Sequence, residues 1–417
     1  MNMQHFDYIL VGGGLQSGLI VLALEYYQPK ATVLVLERSA RLGGNHTWSF
    51  HPKDVSATAD HWLKQAVETR WPSYCVRLRQ FQKTVQLTYA SISSEYFSAA
   101  ITRSLEGRQC GTARTNTVVT EIKEKEVATS TGERFSGRLV LDCRGPEALK
   151  GLPYAKTGYQ KFWGFEIALK GDWPFDVPIV MDDCVEQSDG FRFMYTLPFE
   201  RRRVLVEDTR FSNEPAIDRD ECLAQVRTYL ASIGVVDWSI QREEHGILPM
   251  PISTELLPGT SVRAAEGPGT AAMRGGYAGG WFHAATGYSF PLAVAFAETI
   301  ARTTPEQAPV EVSKLAIEHR SRSKFGRFLN RLLFRLVKPE ARYQIFRRFY
   351  KVLSNDSIAR FYSHRFTRWD AFRIVVGWPP GGLQPFRFLR SFYPARSSIP
   401  TRSDAASTNG AMKESVL

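Results

Sequence analysis

The stretch that decides the fold is FDYILVGGGLQSGLIVLALEYYQPKATVLVLER, which runs from Phe6 to Arg38. The short apolar run at residues 8–11 is typical of a strand buried on both faces of a parallel sheet. Three glycines at 12–14 follow it, and then apolar residues recur at helical spacing. Residues 32–36 form a second strand pattern, which ends at Glu37. The order of strand, glycine turn, helix, strand and acid predicts a dinucleotide-binding unit.

In such a unit the glycines let the backbone approach a pyrophosphate at the helix N-terminus, and the acid about 20 residues downstream accepts a ribose hydroxyl. The third glycine position of the fingerprint is occupied by Ser17, which is small enough for close packing of helix on strand. The pattern does not distinguish FAD from NAD. The cofactor-binding residues that it predicts are Gly12, Gly13, Gly14, Leu15, Gln16, Ser17, Glu37 and Arg38.

A second glycine-containing segment, RLGGNHTWSFH, follows at residues 41–51. A Gly-Gly loop permits a close approach of the backbone to a flat cofactor, and aromatic side chains can form its wall. We therefore expect Gly44, His46 and Trp48 to contact the cofactor. A mobile surface loop is the alternative. His46 and His51 are not predicted to bind a metal, because no carboxylate stands at ligand spacing beside them.

Length, charge and cysteine content restrict the class of protein. A chain of 417 residues exceeds what one hydrophobic core usually serves, so two or three structural units are expected. The net charge of +11 is concentrated in residues 311–396, which hold 19 Lys/Arg against 5 Asp/Glu. Five scattered cysteines without a C-x-x-C pair predict a reducing cytoplasmic setting without disulfides. No signal peptide and no apolar run of about 18 or more residues is visible, so a soluble or peripheral protein is expected.

Further along the chain, residues 135–142 (FSGRLVLD) are predicted to return to the first sheet, which would make the cofactor domain discontinuous. Between residues 158 and 241, alternating segments with few helices predict an antiparallel sheet with one wet face. Its segment 204–211 carries two adjacent carboxylates. Alternation places Glu207 among apolar residues and a threonine, and Asp208 on the opposite face.

A carboxyl group in apolar surroundings without a cation has a raised pKa and suits a general acid. Glu207 meets this description, whereas Asp208 shares its face with Arg210. The alternative is that both are solvated carboxylates at a strand end.

A second glycine-rich run, RGGYAGGWFHAATGYSFP, occupies residues 274–291 and opens onto an apolar helical pattern. Its backbone N–H groups and the helix dipole predict a second cradle for an anion or a flavin edge. Two cradles far apart in sequence favour FAD over NAD, because the long FAD molecule threads between them. The residues predicted to contact the cofactor here are Gly279, Gly280, Thr286, Gly287, Tyr288 and Ser289.

The chain resembles the bacterial, soluble-type lycopene β-cyclases, flavoproteins of carotenoid biosynthesis. The resemblance reaches from Phe6 to Pro380 and rests on YILVGGGLQSGLI with Glu37, GGNHTWSFH, LVLDCRGP, PFERRRVLVEDTRFS, GGWFHAATGYSFPLA and RFLNRLLF…RRFYKVL…RFYSHRFTRWDAFRIVVGWPP.

The resemblance implies an α/β fold with a Rossmann-like FAD-binding domain of the glutathione-reductase/hydroxylase type, an antiparallel β-sheet substrate domain and a C-terminal helical region. We expect the FAD-binding domain at 1–70, 105–150 and 265–305, and the substrate domain at 71–104 and 151–264. A basic, membrane-facing helical region is expected at 306–395, and a disordered tail at 396–417.

The implied activity is the non-redox, acid-catalysed cyclisation of the ψ-ends of lycopene to β-rings, giving γ-carotene and β-carotene. FAD would act in its reduced form, with NAD(P)H as the electron source. The EDTRFS segment resembles the acidic motif of the family, which implies Glu207 as the catalytic acid, with Asp208 as runner-up. Aromatic faces that could stabilise the cationic intermediate are those of Trp48, Phe193, Tyr195, Trp281 or Phe282. A flavin hydroxylase or desaturase and a non-catalytic flavin-binding or nucleic-acid-binding protein are the alternatives.

The basic C-terminal quarter is predicted to form the amphipathic helices RFLNRLLFRLVK, YQIFRRFYKVL and IARFYSHRF. Such helices lie on anionic lipid with the apolar face down. A carotenoid substrate resides in the bilayer, so a peripheral position on the inner membrane is expected. A cationic face on an ordinary helical cap is the alternative. Nucleic-acid binding is a third interpretation, which no recognised module supports, and association with other carotenoid enzymes stays open.

Overall fold

The structure is a computed structural model and describes residues 3–79, 81–107, 111–145, 157–254, 272–377 and 381–390. The predicted disordered tail, 396–417, lies outside these ranges. The described strands are β1 (Gln4–Val11), β2 (Val33–Leu36), β3 (Trp48–Phe50), β4 (Thr69–Trp71), β5 (Tyr74–Leu78), β6 (Phe81–Val85), β7 (Tyr89–Ile92), β8 (Gly111–Arg114), β9 (Val119–Ile122), β10 (Glu126–Thr129), β11 (Arg134–Asp142), β12 (Thr157–Leu169), β13 (Ile179–Asp182), β14 (Phe191–Glu200), β15 (Arg203–Ser212), β16 (Trp238–Pro251) and β17 (Met273–Arg274).

The described helices are α1 (Leu15–Tyr27), α2 (Ala57–Leu63), α3 (Ser94–Gly107), α4 (Arg219–Ser232), α5 (Phe290–Ala301), α6 (Ala308–Arg331), α7 (Tyr343–Val352), α8 (Asn355–Tyr362), α9 (Arg368–Val375) and α10 (Pro385–Arg390). A π-helical turn, Leu332–Leu336, follows α6.

The first sheet contains the strands of the predicted dinucleotide-binding unit. Its strands lie in the order β8-β2-β1-β11-β10-β9, with β17 beside β11. β1 pairs in parallel with both β2 and β11, so residues 135–142 return to this sheet as the sequence predicted. The last four residues of β1 and all four of β2 are buried, as expected for strands that are covered on both faces.

Helices α1, α3 and α5 form the core that covers this sheet. The buried stretch of α1, Gln16–Leu24, is continuous, which is typical of a helix enclosed between a sheet and other helices. Gly18 permits the contact with α3, because a Cβ atom there would lie 2.4 Å from Ile101 Cδ1. Within residues 71–104, which were predicted to belong to the substrate domain, β5 and β6 lie in the second sheet, whereas β7 and α3 pack into the core around α1.

The second sheet has the order β16-β12-β15-β14-β13-β5-β6 and is antiparallel except where β13 pairs with β5. The prediction that one face of this sheet is exposed to solvent is wrong, because other elements cover both faces. On one side α4 packs against residues of β12 and β15. On the other side aromatic residues of β14 and β15 pack against the C-terminal helices. Accordingly, nine of the ten residues of β15 are buried.

The C-terminal region is helical, as predicted, but its first predicted helix is not separate. Residues 327–338 form the end of the 24-residue helix α6 and the π-helical turn after it. Two of the cations expected to face a membrane point inward: Arg335 and Arg342 are buried, and Arg342 Nη1 donates to the backbone oxygen of Phe211 at 2.8 Å. Part of the basic charge thus holds these helices on the second sheet.

Candidate active site and cofactor cleft

A cavity of about 2110 Å³ runs between the two sheets and the C-terminal helices. Its walls include the glycine turn after β1, the segment around β3, one face of β14 and β15, and helix α7. Sites for one small ligand usually measure roughly 300–1,000 Å³. The cavity therefore has room for a dinucleotide together with a second, elongated ligand.

The glycine turn forms one end of the cavity, where Gly12 and Gly14 are part of the wall. Gly12 has a φ of +96°, and a Cβ atom there would lie 3.0 Å from the backbone of Arg144. Gly14 is the N-cap of α1, and a Cβ atom on it would meet nothing within 4 Å. The backbone N–H groups of the first turn of α1 thus face open space and can bind a pyrophosphate.

Glu37, at the C-terminal end of β2, also lines the cavity. Its Oε2 accepts a hydrogen bond from Gly13 N at 2.5 Å, and its Oε1 accepts one from Ser39 N at 2.7 Å. Each carboxylate oxygen retains a second acceptor position, so a ribose hydroxyl can still bind. Arg38 lies beside it in the cavity wall.

The second glycine-rich segment lies directly against the first. Residues 286–289 line the cavity immediately before α5, and Pro291 lies in the first turn of that helix. Gln16 joins the two segments: its Nε2 donates to Ala293 O at 3.0 Å, and its Oε1 accepts from Gly276 N at 3.2 Å. The two predicted cradles therefore form one continuous cleft.

Four predicted cofactor residues do not line the cavity: Gly13, Ser17, Gly279 and Gly280. Ser17 turns inward, and its hydroxyl donates to Gly12 O. Gly279 is packed on the chain itself, because a Cβ atom there would lie 2.5 Å from Arg274 O. Residues 276–278 line the cavity in place of the two later glycines, since the tight turn presents its first half to the cleft.

The segment that leads into β3 also forms part of the cleft, because Gly44, His46 and Trp48, the three residues expected there to contact the cofactor, line the cavity. Gly44 has a φ of +70° and open space at its Cβ position. Burial lowers the pKa of His46, which favours the neutral imidazole. The residues of this cleft fit FAD. The N–H groups at the start of α1 suit the pyrophosphate, and the carboxylate of Glu37 suits a ribose. The open backbone at Gly44, beside the aromatic ring of Trp48, suits the flavin ring.

Glu207 faces the same cavity from the middle of β15. Strand pairing places one residue of each of four strands in a row across the sheet: Glu244, Gly164, Glu207 and Tyr195. A Cβ atom on Gly164 would lie 2.8 Å from Glu207 Cγ and 3.2 Å from Glu244 Cγ. Because Gly164 has no side chain, the two carboxyl groups meet above it.

Burial raises the pKa of Glu207 well above its ordinary value, and the charge of Glu244 and a hydrogen bond between the two carboxyl groups raise it further. Glu244 Oε2 accepts hydrogen bonds from Arg242 Nη1 at 2.6 Å and from Thr47 Oγ1 at 2.9 Å. These two bonds hold the Glu244 side chain in place beside Glu207. The raised pKa favours the protonated form of Glu207, which is the form that a general acid needs.

Sequence reasoning missed Glu244 and expected only apolar residues and a threonine around Glu207. The alternation along β16 does place Glu244 on a definite face. However, β16 and β15 are not neighbours and meet only through β12. A sequence read without strand order contains no signal for this contact.

Asp208 lies on the opposite face of β15, away from the cavity, and is fully buried. Its Oδ1 accepts from Arg192 Nε at 2.8 Å, and its Oδ2 accepts from Arg210 Nη2 at 3.1 Å and also contacts Arg192 Nη2. The expected pair with Arg210 is present, and Arg192 is a second partner that the sequence did not indicate. Asp208 cannot touch a ligand in the cavity from this face.

Aromatic side chains form much of the cavity wall. Trp48, Phe193 and Tyr195 line it as predicted, but Trp281 and Phe282 do not. Trp281 packs on Phe296 in the core formed by α1, α3 and α5, with ring centroids 5.0 Å apart. The aromatic lining that the sequence did not predict includes Tyr74, Tyr89, Phe211, Tyr288, Tyr350 and Tyr362.

His51 lines the cavity directly after β3 and is only 5% exposed. Its Nδ1 lies 3.1 Å from Asp54 Oδ2, which also accepts from the Tyr288 hydroxyl at 3.1 Å. Residues 52–54 form a 3₁₀ turn that folds Asp54 back onto His51, a contact that the sequence did not indicate. Among the described residues, His51 Nε2 has no hydrogen-bond partner.

Exposed apolar side chains occur on α9, directly after it, and at residues 383–386, and we call this set the mouth patch because two of its members also line the cavity. The largest exposed side chains of the mouth patch are Trp369, Phe372, Val376 and Phe386, at 63%, 51%, 51% and 82% exposure. Val375 and Leu383 are exposed and also line the cavity. Across the described residues, no helix is both long and apolar enough to cross a membrane.

Solved structures with this fold define the class of protein. The p-nitrophenol 4-monooxygenase PnpA from Pseudomonas putida aligns with a TM-score of 0.61 at 13% identity, over 88% of this chain and all of that one. A geranylgeranyl bacteriochlorophyll reductase-like protein from Thermoplasma acidophilum aligns with a TM-score of 0.54 at 11% identity, over 90% and 96% of the chains. The chain has the α/β fold of FAD-dependent monooxygenases and related reductases.

Sequence comparison identifies the family within this class. The model for lycopene cyclase protein matches residues 7–387. The lycopene beta-cyclase of Pseudescherichia vulneris is 36% identical over 395 residues, which cover 94% of this chain and 98% of that one. The Pantoea ananas lycopene beta-cyclase is 34% identical over 382 residues, covering 90% and 95%. The chain belongs to the lycopene cyclase family, which confirms the predicted resemblance.

Proposed function

We propose that the protein is a lycopene β-cyclase, an isomerase that converts the ψ-ends of lycopene to β-rings and gives γ-carotene and then β-carotene. The observation that carries this proposal is Glu207, a buried carboxyl group with a raised pKa that faces an aromatic-lined cavity beside a dinucleotide cleft. Membership of the lycopene cyclase family supports the substrate class.

In this mechanism Glu207 protonates the terminal double bond of the substrate and leaves a tertiary cation. The neighbouring trisubstituted double bond attacks that cation, and loss of a proton from the new ring leaves the product. Aromatic faces such as those of Phe193 and Tyr195 stabilise positive charge. The largely apolar wall excludes water, which would otherwise trap the cation as an alcohol. The charge of Glu244 favours reprotonation of Glu207 after each turn.

Asp208 has a supporting role in this proposal. Its carboxylate binds Arg192 and Arg210 on the face of β15 that packs towards α4. These charge-assisted bonds fix the strand that presents Glu207. Asp208 therefore contributes through stability and position rather than proton transfer.

FAD is the proposed cofactor, held by the N-terminus of α1, by Glu37 and by the segments around Gly44 and Gly287. When bound in its reduced, anionic form, FAD supplies negative charge that stabilises a cationic transition state. NAD(P)H is the proposed source of the electrons, although ring formation itself involves no net redox change.

We further propose that the protein lies peripherally on the cytoplasmic face of the inner membrane, with the mouth patch on an anionic bilayer. The patch combines Trp369 and Phe372, whose stacked rings are 5.2 Å apart, with the exposed cations Lys338 and Arg368 nearby. Because Val375 and Leu383 belong to both patch and cavity, an apolar substrate could pass from lipid to cavity without crossing water.

The test is anaerobic incubation of the purified protein with FAD, a chemical reductant and lycopene in anionic liposomes, followed by chromatography of the carotenoids. γ-Carotene and β-carotene should form without oxygen and without stoichiometric consumption of NAD(P)H. A sample without reductant serves as the control. A strict oxygen requirement, or one NAD(P)H consumed per ring, would instead indicate a flavin hydroxylase or desaturase.

A further inference from the structure

We infer that His51, oriented by Asp54, accepts the proton that leaves the ring in the last step of the reaction. This inference rests on the proposed function, which names a proton donor but no acceptor. A separate acceptor must lie on the wall of the same cavity as the donor, and His51 and Glu207 both line it.

The side chain of His51 has the geometry of an oriented base. With Nδ1–H donating to Asp54 at 3.1 Å, Nε2 carries the lone pair. The ring lies among Tyr74, Tyr89 and Tyr362, with centroids 5.5, 5.2 and 5.7 Å away. A buried polar nitrogen without a hydrogen-bond partner is costly, so the open Nε2 in the cavity wall indicates that this nitrogen acts on the bound ligand.

Other buried histidines show why position in the cavity matters. His283 and His364 also have unpartnered ring nitrogens among the described residues, but neither lines the cavity. Their rings contact each other, with centroids 4.6 Å apart, in the packing between α6 and α8. Within this group of histidines, His51 alone combines an orienting carboxylate with an open nitrogen at the cavity wall.

Three hydroxyl groups line the cavity near both Glu207 and His51. Tyr195, the cross-strand neighbour of Glu207, donates from its hydroxyl to Ser49 Oγ at 2.8 Å, and Ser49 lies two residues before His51. The Tyr195 hydroxyl also lies 3.1 Å from that of Tyr89, whose ring packs on His51.

The proton balance is complete for an isomerisation. Glu207 loses one proton to the substrate, and the C–H bond broken in the last step leaves its electron pair as the ring double bond. The released proton binds His51 Nε2. One proton must then return from His51 to Glu207 before the next turnover, and the hydroxyls of Tyr89, Tyr195 and Ser49 line the same cavity.

A fixed acceptor would also select the product. The last cation is flanked by three kinds of C–H bond, on a ring CH, on a ring CH₂ and on a methyl group. Proton loss from the first gives the β-ring, whereas loss from the others gives rings with a shifted or an exocyclic double bond. His51 would therefore determine which ring isomer is formed.

The experiment compares ring isomers formed by wild type, His51→Phe and Asp54→Asn under the anaerobic conditions described above, with flavin content measured by absorbance. We expect His51→Phe to bind flavin normally, to cyclise at least about 100-fold more slowly, and to form a raised share of the other ring isomers. Asp54→Asn should shift the isomer ratio in the same direction but less. His319→Gln is the control, because His319 is buried but outside the cavity; it should leave the ratio unchanged.

Exclusive formation of β-rings by both His51→Phe and Asp54→Asn, at any rate, would overturn the inference and show that the Glu207 carboxylate recovers the proton itself. Asp54→Asn decides the question if His51→Phe does not fold. Failure of the wild type to form any ring would instead contradict the proposed function.

Discussion

Two adjacent carboxylates on β15 provide the sharpest test of the site. Glu207→Gln keeps the size of the side chain but removes the proton that the mechanism uses. General acid catalysis typically contributes 10²- to 10⁴-fold, so we expect the cyclisation rate to fall at least about 100-fold. The apparent free energy of unfolding should change little, because the amide of glutamine can donate a hydrogen bond to Glu244 in place of the protonated carboxyl group.

Asp208→Asn should behave in the opposite way. Asp208 is fully buried, and its partners Arg192 and Arg210 are 1% and 2% exposed. Removing one partner of a buried ion pair leaves uncompensated charge and costs about 3–5 kcal/mol. We therefore expect a large loss of stability, while the folded fraction retains a much higher cyclisation rate than Glu207→Gln.

The assay has two measurements for each variant: ring formation per bound flavin under anaerobic conditions, and urea unfolding followed by fluorescence. Normalisation to bound flavin separates lost chemistry from lost protein. If Glu207→Gln were nearly as active as wild type while folded Asp208→Asn was inactive, the orientation of the two side chains and the assignment of the acid would both be wrong.

Three further predictions concern the cleft, the surface and pH. Gly12→Ala should abolish flavin binding, measured by absorbance of the purified protein, because a left-handed φ costs an alanine about 1–2 kcal/mol and its Cβ would also lie 3.0 Å from the Arg144 backbone. The double variant Trp369→Ser with Phe386→Ser should co-sediment less with anionic liposomes and bind flavin normally. Unchanged co-sedimentation would show that the mouth patch is not the membrane-binding surface. Burial lowers the pKa of His283 to about 3 and that of His319 to about 4, and it also lowers the pKa of His364. The neutral histidines contribute fully to the free energy of unfolding above pH 6.5, and this contribution falls by about 1.4 kcal/mol per histidine and pH unit as the pH approaches their pKa values in the folded protein. His319→Gln should reduce the part of the slope of unfolding free energy against pH that comes from the three histidines by about a third.

The sequence by itself determined the dinucleotide-binding unit. Its signals are local: a short apolar strand, glycines at 12–14, a helix and a second strand ending at Glu37 follow one another within 33 residues. The backbone can bring these elements together in only one way, because parallel strands joined by a helix cross over with a fixed hand. The orientation of the side chains of β15 also followed from the local sequence, because alternation along a strand places the neighbouring residues Glu207 and Asp208 on opposite faces.

Tertiary structure alone decided what surrounds those residues. Glu244 reaches Glu207 because β12 lies between their strands and carries Gly164 at the crossing point. Asp54 reaches His51 through a single 3₁₀ turn. Arg335 and Arg342 were expected on the surface from the sequence, but the packing of helices on the second sheet buries them. Periodicity fixes the face on which a side chain lies, but strand order and helix packing depend on contacts between distant segments, and these decide whether that face meets solvent, a cavity or another charge.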